Sequence, residues 1–438
     1  MPETIVVGGG WAGLAAATEL CRRRQPALLL EAAGQLGGRA RSLNHRGLRL
    51  DNGQHLMIGA YHDLLSLLQT VGLGESTAFH RLPLQLRMQS ANGQAGYRLI
   101  PPRLPAPLHL LAGLLQANGL SWRERGQALR LSLMLAAGGT DNGDDLPLAT
   151  LLQHHGQSAS LICKLWQPLC LATLNTAVEQ ASSRVFVRML RDSFAHDSRD
   201  SDLLIPRTDL GALLPEPARS FIEKYHGQVR LQQRVSDLLI ENGHAVGVTL
   251  RDGRQYRAKH IILALAPHAC RQLLAPHRQL RETADRLGQI EHAPICTVYL
   301  RYTPSIRLSY PMIGLLNTTA QWLFDRGYSG QAGLMAAVIS GHGPHMIDSN
   351  DRLITRISGE IATHFPHWPP PEDTLIIREK RATLLCSPEN NQLRPGMSTP
   401  VTGCWLAGDY TLKDYPAVLE GAVRSGLACA RAVSAARR

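Results

Sequence analysis

The first forty residues constrain this chain most. Thr4-Ile5-Val6-Val7 is a short apolar run of the kind that forms a buried strand, and Gly8-Gly9-Gly10-Trp11-Ala12-Gly13 is a glycine-rich turn. Ala12 to Arg23 carries helical spacing, and Ala27-Leu28-Leu29-Leu30 is a second apolar run closed by Glu31. Strand, tight turn, helix, strand and acid in that order make a βαβ unit that opens on a dinucleotide phosphate site. Gly8 permits the turn, Gly10 lets the main chain approach a pyrophosphate, and Gly13 lets the helix lie close on the strand. The helix N-terminus turns unpaired N–H groups and the positive end of its dipole toward the phosphates. Glu31, 18 residues beyond Gly13, stands where a carboxylate accepts from the adenosine ribose hydroxyls. Glycines alone are common in ordinary turns. The strand before, the helix after and the acid at its distance make the cofactor reading specific.

At 438 residues the chain is long enough for two domains, and 44% hydrophobic with 18% charged residues is an ordinary globular balance. The net charge of +11 comes from scattered arginines. With no dense basic block and no aromatic-interleaved basic patch, nucleic acid is excluded as the expected partner. The charge serves either attraction to an anionic membrane surface or plain solubility. Eight cysteines at 21, 163, 170, 270, 296, 386, 404 and 429 show neither a CxxC pair nor ligand spacing. They are predicted to be reduced, mostly buried thiols of a cytoplasmic protein, with no metal site. The first strand follows Met1 too closely for a secretory leader, and no run of 18 uncharged apolar residues is present. The expected location is the cytoplasm, with a peripheral position on the inner face of the cytoplasmic membrane as one use of the charge.

Further along, Gly47 to His55 alternates like a strand and ends in a polar turn, and Tyr61 to Val71 has helical spacing. His55 reads equally as a loop histidine and as a catalytic one. From Arg81 to Asp200 a helical insertion is expected, with helices at Leu108–Leu120, Trp122–Ala137, Leu148–His155, Ser158–Leu174 and Ser182–Ala195, and a loop at Gly138–Asp145. The Leu108–Leu120 stretch, flanked by Arg98, Arg103, Arg123 and Arg125, fits either a helix dipping into one leaflet or a buried helix of a substrate cap. Strands return at Val229–Leu231, Val235–Glu241, Ala245–Leu250 and Ala258–Ala264, joined through Asn242-Gly243 and Asp252-Gly253 turns. Ile295–Arg301, Leu334–Ser340 and Leu375–Glu379 read as strands beside a helix at Arg352–His364, with a rigid turn at Pro369-Pro370-Pro371. Cys404–Ala407 is a strand entering Gly408-Asp409. Pro416 stands where the helix Val418–Ala432 can begin.

Gly37-Gly38-Arg39 straight after the acid, together with Leu406-Ala407-Gly408-Asp409, resembles the FAD-containing amine oxidase and phytoene desaturase superfamily. The resemblance implies an α/β, Rossmann-like FAD-binding domain in three pieces (1–80, 201–275, 381–438). It also implies an amine-oxidase-like α+β substrate domain in two pieces (81–200, 276–380). By the same resemblance Arg39 reaches the cofactor phosphates beside Ala32 and Gly38, and Gly408-Asp409 meets the ribityl chain. Gly53 and Gln54 lie along the flavin ring, the backbone of Val235 holds the adenine, and Val418, Leu419 and Ala422 point a helix N-terminus at the pyrimidine edge. That placement suits a reduced flavin, whose negative charge a helix N-terminus stabilises.

Four longer stretches resemble one branch, the hydroxysqualene dehydroxylases: Asp51–His55, Leu165–Thr176, Leu204–Leu210 and Gly408 through Gly426. The branch implies reductive loss of a hydroxyl from a hydrophobic isoprenoid, hydroxysqualene to squalene, toward hopanoids or sterols, with the flavin held non-covalently. Tyr410, Tyr415 and His55 are the candidate proton donors, with packing as the plain alternative for either tyrosine. An oxidative desaturase or amine oxidase on the same scaffold is the alternative chemistry, and a flavin-binding scaffold protein without turnover is the non-catalytic one. The residues carry no signature of the electron donor that would reload the flavin.

Overall fold

Residues Thr4–Val7 (β1) and Ala27–Leu30 (β2) are buried along their whole length, which a strand tolerates where both its faces are covered. The computed structural model describes residues 2–90, 96–136 and 144–436, and it shows that double cover. β1 lies at the centre of a five-stranded parallel sheet, in the order Gln228–Arg230, β2, β1, His260–Leu263, Cys404–Leu406. Side chains alternate across it. Val6, Leu29 and Ile262 face a layer made by helix α1 (Trp11–Arg22) and the terminal helix Leu419–Ala435. Ile5, Val7, Leu28 and Leu30 face an antiparallel three-stranded meander that supplies Leu238, Val248 and Leu250. The hairpin turn of that meander is the expected asparagine–glycine pair, with both residues at positive φ.

The second sheet has seven strands: Asp373–Leu384, His292–Arg301, Leu334–Ser340, Trp322–Asp325, Met312–Leu316, Leu86–Ser90 and Tyr97–Leu99. Cys296, Val298, Leu323, Ala337 and Ile339 pack on Leu353, Ile357 and Ile361 of the helix Asn350–His364. The alternate residues, among them Ile295, Trp322, Phe324 and Val338, face a cavity instead. Helices of the 108–194 segment cover that cavity from the other side. Asn175, left-handed at the end of the helix Gln167–Leu174, stitches this cap to the sheet. Its amide donates to the carbonyls of Ala293 and Pro294 and to Thr383 Oγ1, and its oxygen accepts from Gly341 N–H.

Several expectations are corrected. The 81–200 segment is not wholly helical: Leu86–Ser90 pairs in parallel with Met312–Leu316 and joins the second sheet. The Leu108 helix stops at Gln116, because Asn118 pairs with Arg98 and Gly119 turns the chain with a φ of +89°. The terminal helix starts at Leu419, three residues beyond Pro416. Gly138 to Gly143 of the expected loop lie outside the described residues. All eight cysteines are free and seven are buried. Among the described residues no helix is long and apolar enough to cross a membrane, and no cluster of metal-ligating side chains is present.

α1 and the terminal helix pack through small residues. A side chain on Gly426 would run into the Ala12 carbonyl oxygen, so overpacking governs substitutions there. Gly426→Ala is expected to lose about 1–3 kcal/mol, read as a lowered Tm. An unchanged Tm would mean that the two helices separate without cost.

Candidate active site

The carboxyl ends of the parallel strands open onto one cavity of about 1070 Å³. Gly8, Gly10, Trp11 and Ala12 border it after β1, Glu31 after β2, Ala264 after the fourth strand, and Gly408 and Asp409 after the fifth. Gly8 has a φ of +106°, and a side chain on Gly13 would collide with its carbonyl. α1 can therefore begin at Trp11, directly over the strand end, with no side chain capping its N-terminus. Gly37 N–H donates to Gly9 C=O at 2.8 Å and holds the second glycine turn against the first. Trp11, bulky within a glycine turn, anchors that second turn through an indole bond to Ala40 C=O of 2.9 Å.

Glu31 accepts from Gly9 N–H at 2.6 Å and Ala33 N–H at 2.7 Å. These bonds fix the carboxylate at the cavity wall, and two of its four lone-pair sites remain for a ribose. A glycine cradle, an uncapped helix end and an anchored acid fit the adenosine-diphosphate half of a dinucleotide. At the terminal helix Val418, Leu419 and Ala422 border the same cavity, and no side chain caps that N-terminus either. The site thus has two places that favour negative charge.

Gly38, Arg39, Gly53, Gln54, His55 and Tyr415 also border the cavity. Arg39 and Asp409 meet each other in a 2.7 Å ion pair, and Arg39 also donates to Ala382 C=O at 2.9 Å. Gly13 lies behind the wall as the close-packing glycine, and Ala32 is passed over in favour of Ala33 and Gly34. The Val235 side chain is partly buried against the apolar core of the meander.

Tyr410 is a correction. It is fully buried among the apolar residues beneath the sheet, its ring against Gly408 and its phenol beside Cys270. From there it reaches no substrate. His55 changes role: its Nδ1 lies 3.1 Å from Gly53 C=O and so carries the proton, while burial lowers its pKa against the pull of Asp51. A neutral ring whose one N–H is engaged leaves Nε2 as an acceptor.

Two groups escaped the sequence reading. Arg326, 2% exposed, donates to Asp51 Oδ2 and Gln54 Oε1, each at 3.0 Å. Asp51 also accepts from Leu210 N–H, and Tyr299 donates to its carbonyl. The network pins the Asp51–His55 loop between the two sheets. In sequence Arg326 is one arginine among many. Tyr61, read as the start of a helix, borders the cavity close to Tyr415. Neither phenol hydroxyl makes a hydrogen bond among the described residues. Behind them Glu420 is fully buried and accepts from Asp63 and Leu64 N–H and from Arg424. Burial pushes its carboxyl up to about 7. The Arg424 guanidinium sits 4.6 Å and that of Arg188 5.9 Å from the centre of the Tyr415 ring.

Residues 11–434 match the family described as flavin-containing amine oxidoreductase. The chain belongs to this family. A flavin carried on a dinucleotide-binding βαβ unit is FAD, and the protein is an FAD-dependent oxidoreductase. It is 27% identical to the hydroxysqualene dehydroxylase of Sinorhizobium fredii, over 97% of each chain. It is 28% identical to that of Rhodopseudomonas palustris over 100% of each chain. It is also 23% identical to the 15-cis-phytoene desaturase of Solanum lycopersicum, over 98% of this chain and 77% of the relative. Its fold resembles an oxidoreductase from Methanosarcina mazei (TM-score 0.75, 16% identity, 99% and 100% covered). It also resembles the cyclohexylamine oxidase of Brevibacterium oxydans (TM-score 0.71, 18% identity, 100% and 99% covered).

Two expectations follow for this flavoenzyme. Arg326→Met leaves Asp51 buried and unpaired, and should cost about 3–5 kcal/mol in denaturant unfolding. Adding Asp51→Asn should recover most of it, whereas additive losses would refute the pairing. His292 lies beside Arg39, His268 and Arg381, and burial first, then Arg39, lowers its pKa to about 4. The unfolded chain then binds the extra proton, so this contribution is full above about pH 6.5 and is lost as the pH falls toward 4. His292→Gln should flatten that part of the stability–pH curve. An unchanged slope would remove His292 as its source.

Proposed function

We propose that the protein removes the hydroxyl of hydroxysqualene reductively and yields squalene, in the supply of hopanoid or sterol precursors, working peripherally on the inner face of the cytoplasmic membrane. One observation carries the reading. Beyond the cofactor end the cavity is walled by Leu84, Leu86, Leu169, Met312, Trp322 and Phe324, and it is bordered by Tyr61 and Tyr415, whose hydroxyls have no hydrogen-bond partner among the described residues. Such a site suits a hydrocarbon that bears a single polar group. The dehydroxylase relatives, aligned end to end with this chain, support the same assignment.

Overall, a C–O bond breaks, its oxygen leaves as water after taking a proton, and a C–H bond forms. Bound FAD, when reduced, supplies the hydride and gives up two electrons in doing so. The chain supplies the rest. Tyr415 is the proton donor: burial raises its pKa, so it stays protonated at neutral pH, and the two guanidinium groups over its ring favour the phenolate left behind. Tyr61, which borders the cavity beside Tyr415, is the second candidate phenol. Trp322 and Phe324 line the cavity, where aromatic rings stabilise an allylic cation and exclude the water that would recapture it.

Anaerobic single turnover of the chemically reduced protein tests this. Hydroxysqualene should reoxidise the flavin in step with squalene formation. Tyr415→Phe should slow that step by roughly 10²–10⁴-fold without altering flavin content, and an unchanged rate would remove Tyr415 as the donor. Failure of hydroxysqualene to reoxidise the flavin, with reduction of the oxidised protein by a polyene, would move the chemistry to the desaturase branch.

A further inference from the structure

The helix Leu108–Gln116 has two apolar faces and only one of them is covered. At about 100° per residue, Leu108 and Leu115 fall on one line, and they are 55% and 47% exposed. Leu110, Leu111 and Leu114 face inward and line a small apolar chamber of about 80 Å³. That chamber shares Leu84, Leu86, Leu169 and Phe194 with the walls of the main cavity. Leu111 lies on the seam between the two faces, about 60° around the helix from Leu108 and about 40° from Leu115. The neighbouring helix Trp122–Ala136 extends the outer surface. Trp122 and Leu133, three turns apart on one line, are 76% and 54% exposed, and Ile100 and Leu104, on the segment that leads into the Leu108 helix, are 42% and 40% exposed.

The charge around this patch is one-sided. Between Tyr97 and Ala136 the chain has five arginines and a single acid, Glu124. Glu124 is buried and taken up by Ser121 N–H, Ser160 and Lys164. Arg98, Arg103, Arg123 and Arg130 are exposed. Exposed leucines and a tryptophan on a segment whose exposed charged residues are all arginines match the interface of an anionic bilayer, where apolar side chains enter the acyl boundary and basic ones meet headgroups.

We infer that the 100–133 surface docks on an anionic lipid bilayer, and that Leu111 marks the passage by which an apolar substrate leaves the bilayer for the chamber and then the cavity. The docking deepens the peripheral membrane position proposed above, and the direction of travel rests on the isoprenoid substrate proposed there. Flotation of the FAD-loaded full chain separates the two. The protein should float with phosphatidylcholine–phosphatidylglycerol vesicles and far less with phosphatidylcholine alone. Leu108→Glu with Leu115→Glu should abolish flotation while leaving flavin content unchanged, since both side chains are at the surface. Arg103→Gln with Arg123→Gln should weaken binding to the anionic vesicles by roughly twenty-five-fold, at about five-fold for each basic residue near the surface. Three outcomes overturn the inference: a wild-type chain that does not float with anionic vesicles, a double glutamate variant that floats as well as wild type, or a dimer in lipid-free buffer that this variant dissociates. The last would assign the patch to a second copy of the chain. Squalene formation from detergent-dispersed substrate, which needs no docking, reports separately on the proposed reaction.

Discussion

The approach of the Gly8 and Gly13 main chains is the contact on which the site depends. It seats α1 on the end of β1, so that the helix N-terminus and the carboxyl ends of the parallel strands address one volume. Chain segments hundreds of residues apart then arrive at the same place. Glu31, Ala264 and Gly408 each follow a different strand, and each borders the cavity because its strand is in register with β1 or with a neighbour of β1. The dinucleotide end of the enzyme is a property of backbone geometry, with few side chains involved.

The other end is built differently. Alternate residues of an antiparallel sheet form its floor, and the helical cap forms its roof. Polar atoms are sparse there and are mostly engaged with one another. The buried pair of Arg326 and Asp51 sits where the two halves meet, holding the loop that ends in His55. Along the cavity the surroundings pass from main-chain amides and ion pairs to aliphatic and aromatic walls. A long apolar molecule with one oxygen finds a single orientation in such a gradient.

Legibility in sequence followed the same division. β1, α1, β2 and the meander were readable because their demands are local: a two-residue alternation, a glycine where φ is positive, an asparagine–glycine turn. The strand Leu86–Ser90 was not, since the partner that joins it to the sheet, Met312–Leu316, lies more than two hundred residues away and its alternation of Leu, Met and Arg resembles a loop beside prolines. Tyr410 and Tyr415 could not be told apart by spacing. The non-helical turn after Gly408 sends one ring beneath the sheet and the other to the cavity. Tyr61 was hidden by its position at the start of a regular helix, and Arg326 by the abundance of arginine.

Asn175 gives the cap an uneven stiffness. Its amide is saturated by four bonds to three loops and strands of the lower sheet, so the roof above the reacting atoms is fastened at that point. The Leu108–Gln116 helix is tied more lightly, by His109 Nε2 3.4 Å from Ser201 Oγ and by Arg125 on the Leu115 carbonyl; prolines precede it, a glycine turn follows it, and Leu108, Leu115 and Gln116 face outward. Free energy of local opening follows such differences in buried contact and bonding. Local opening at the rim therefore costs less than opening at Asn175, which leaves the interior of the cavity fixed when its edge moves.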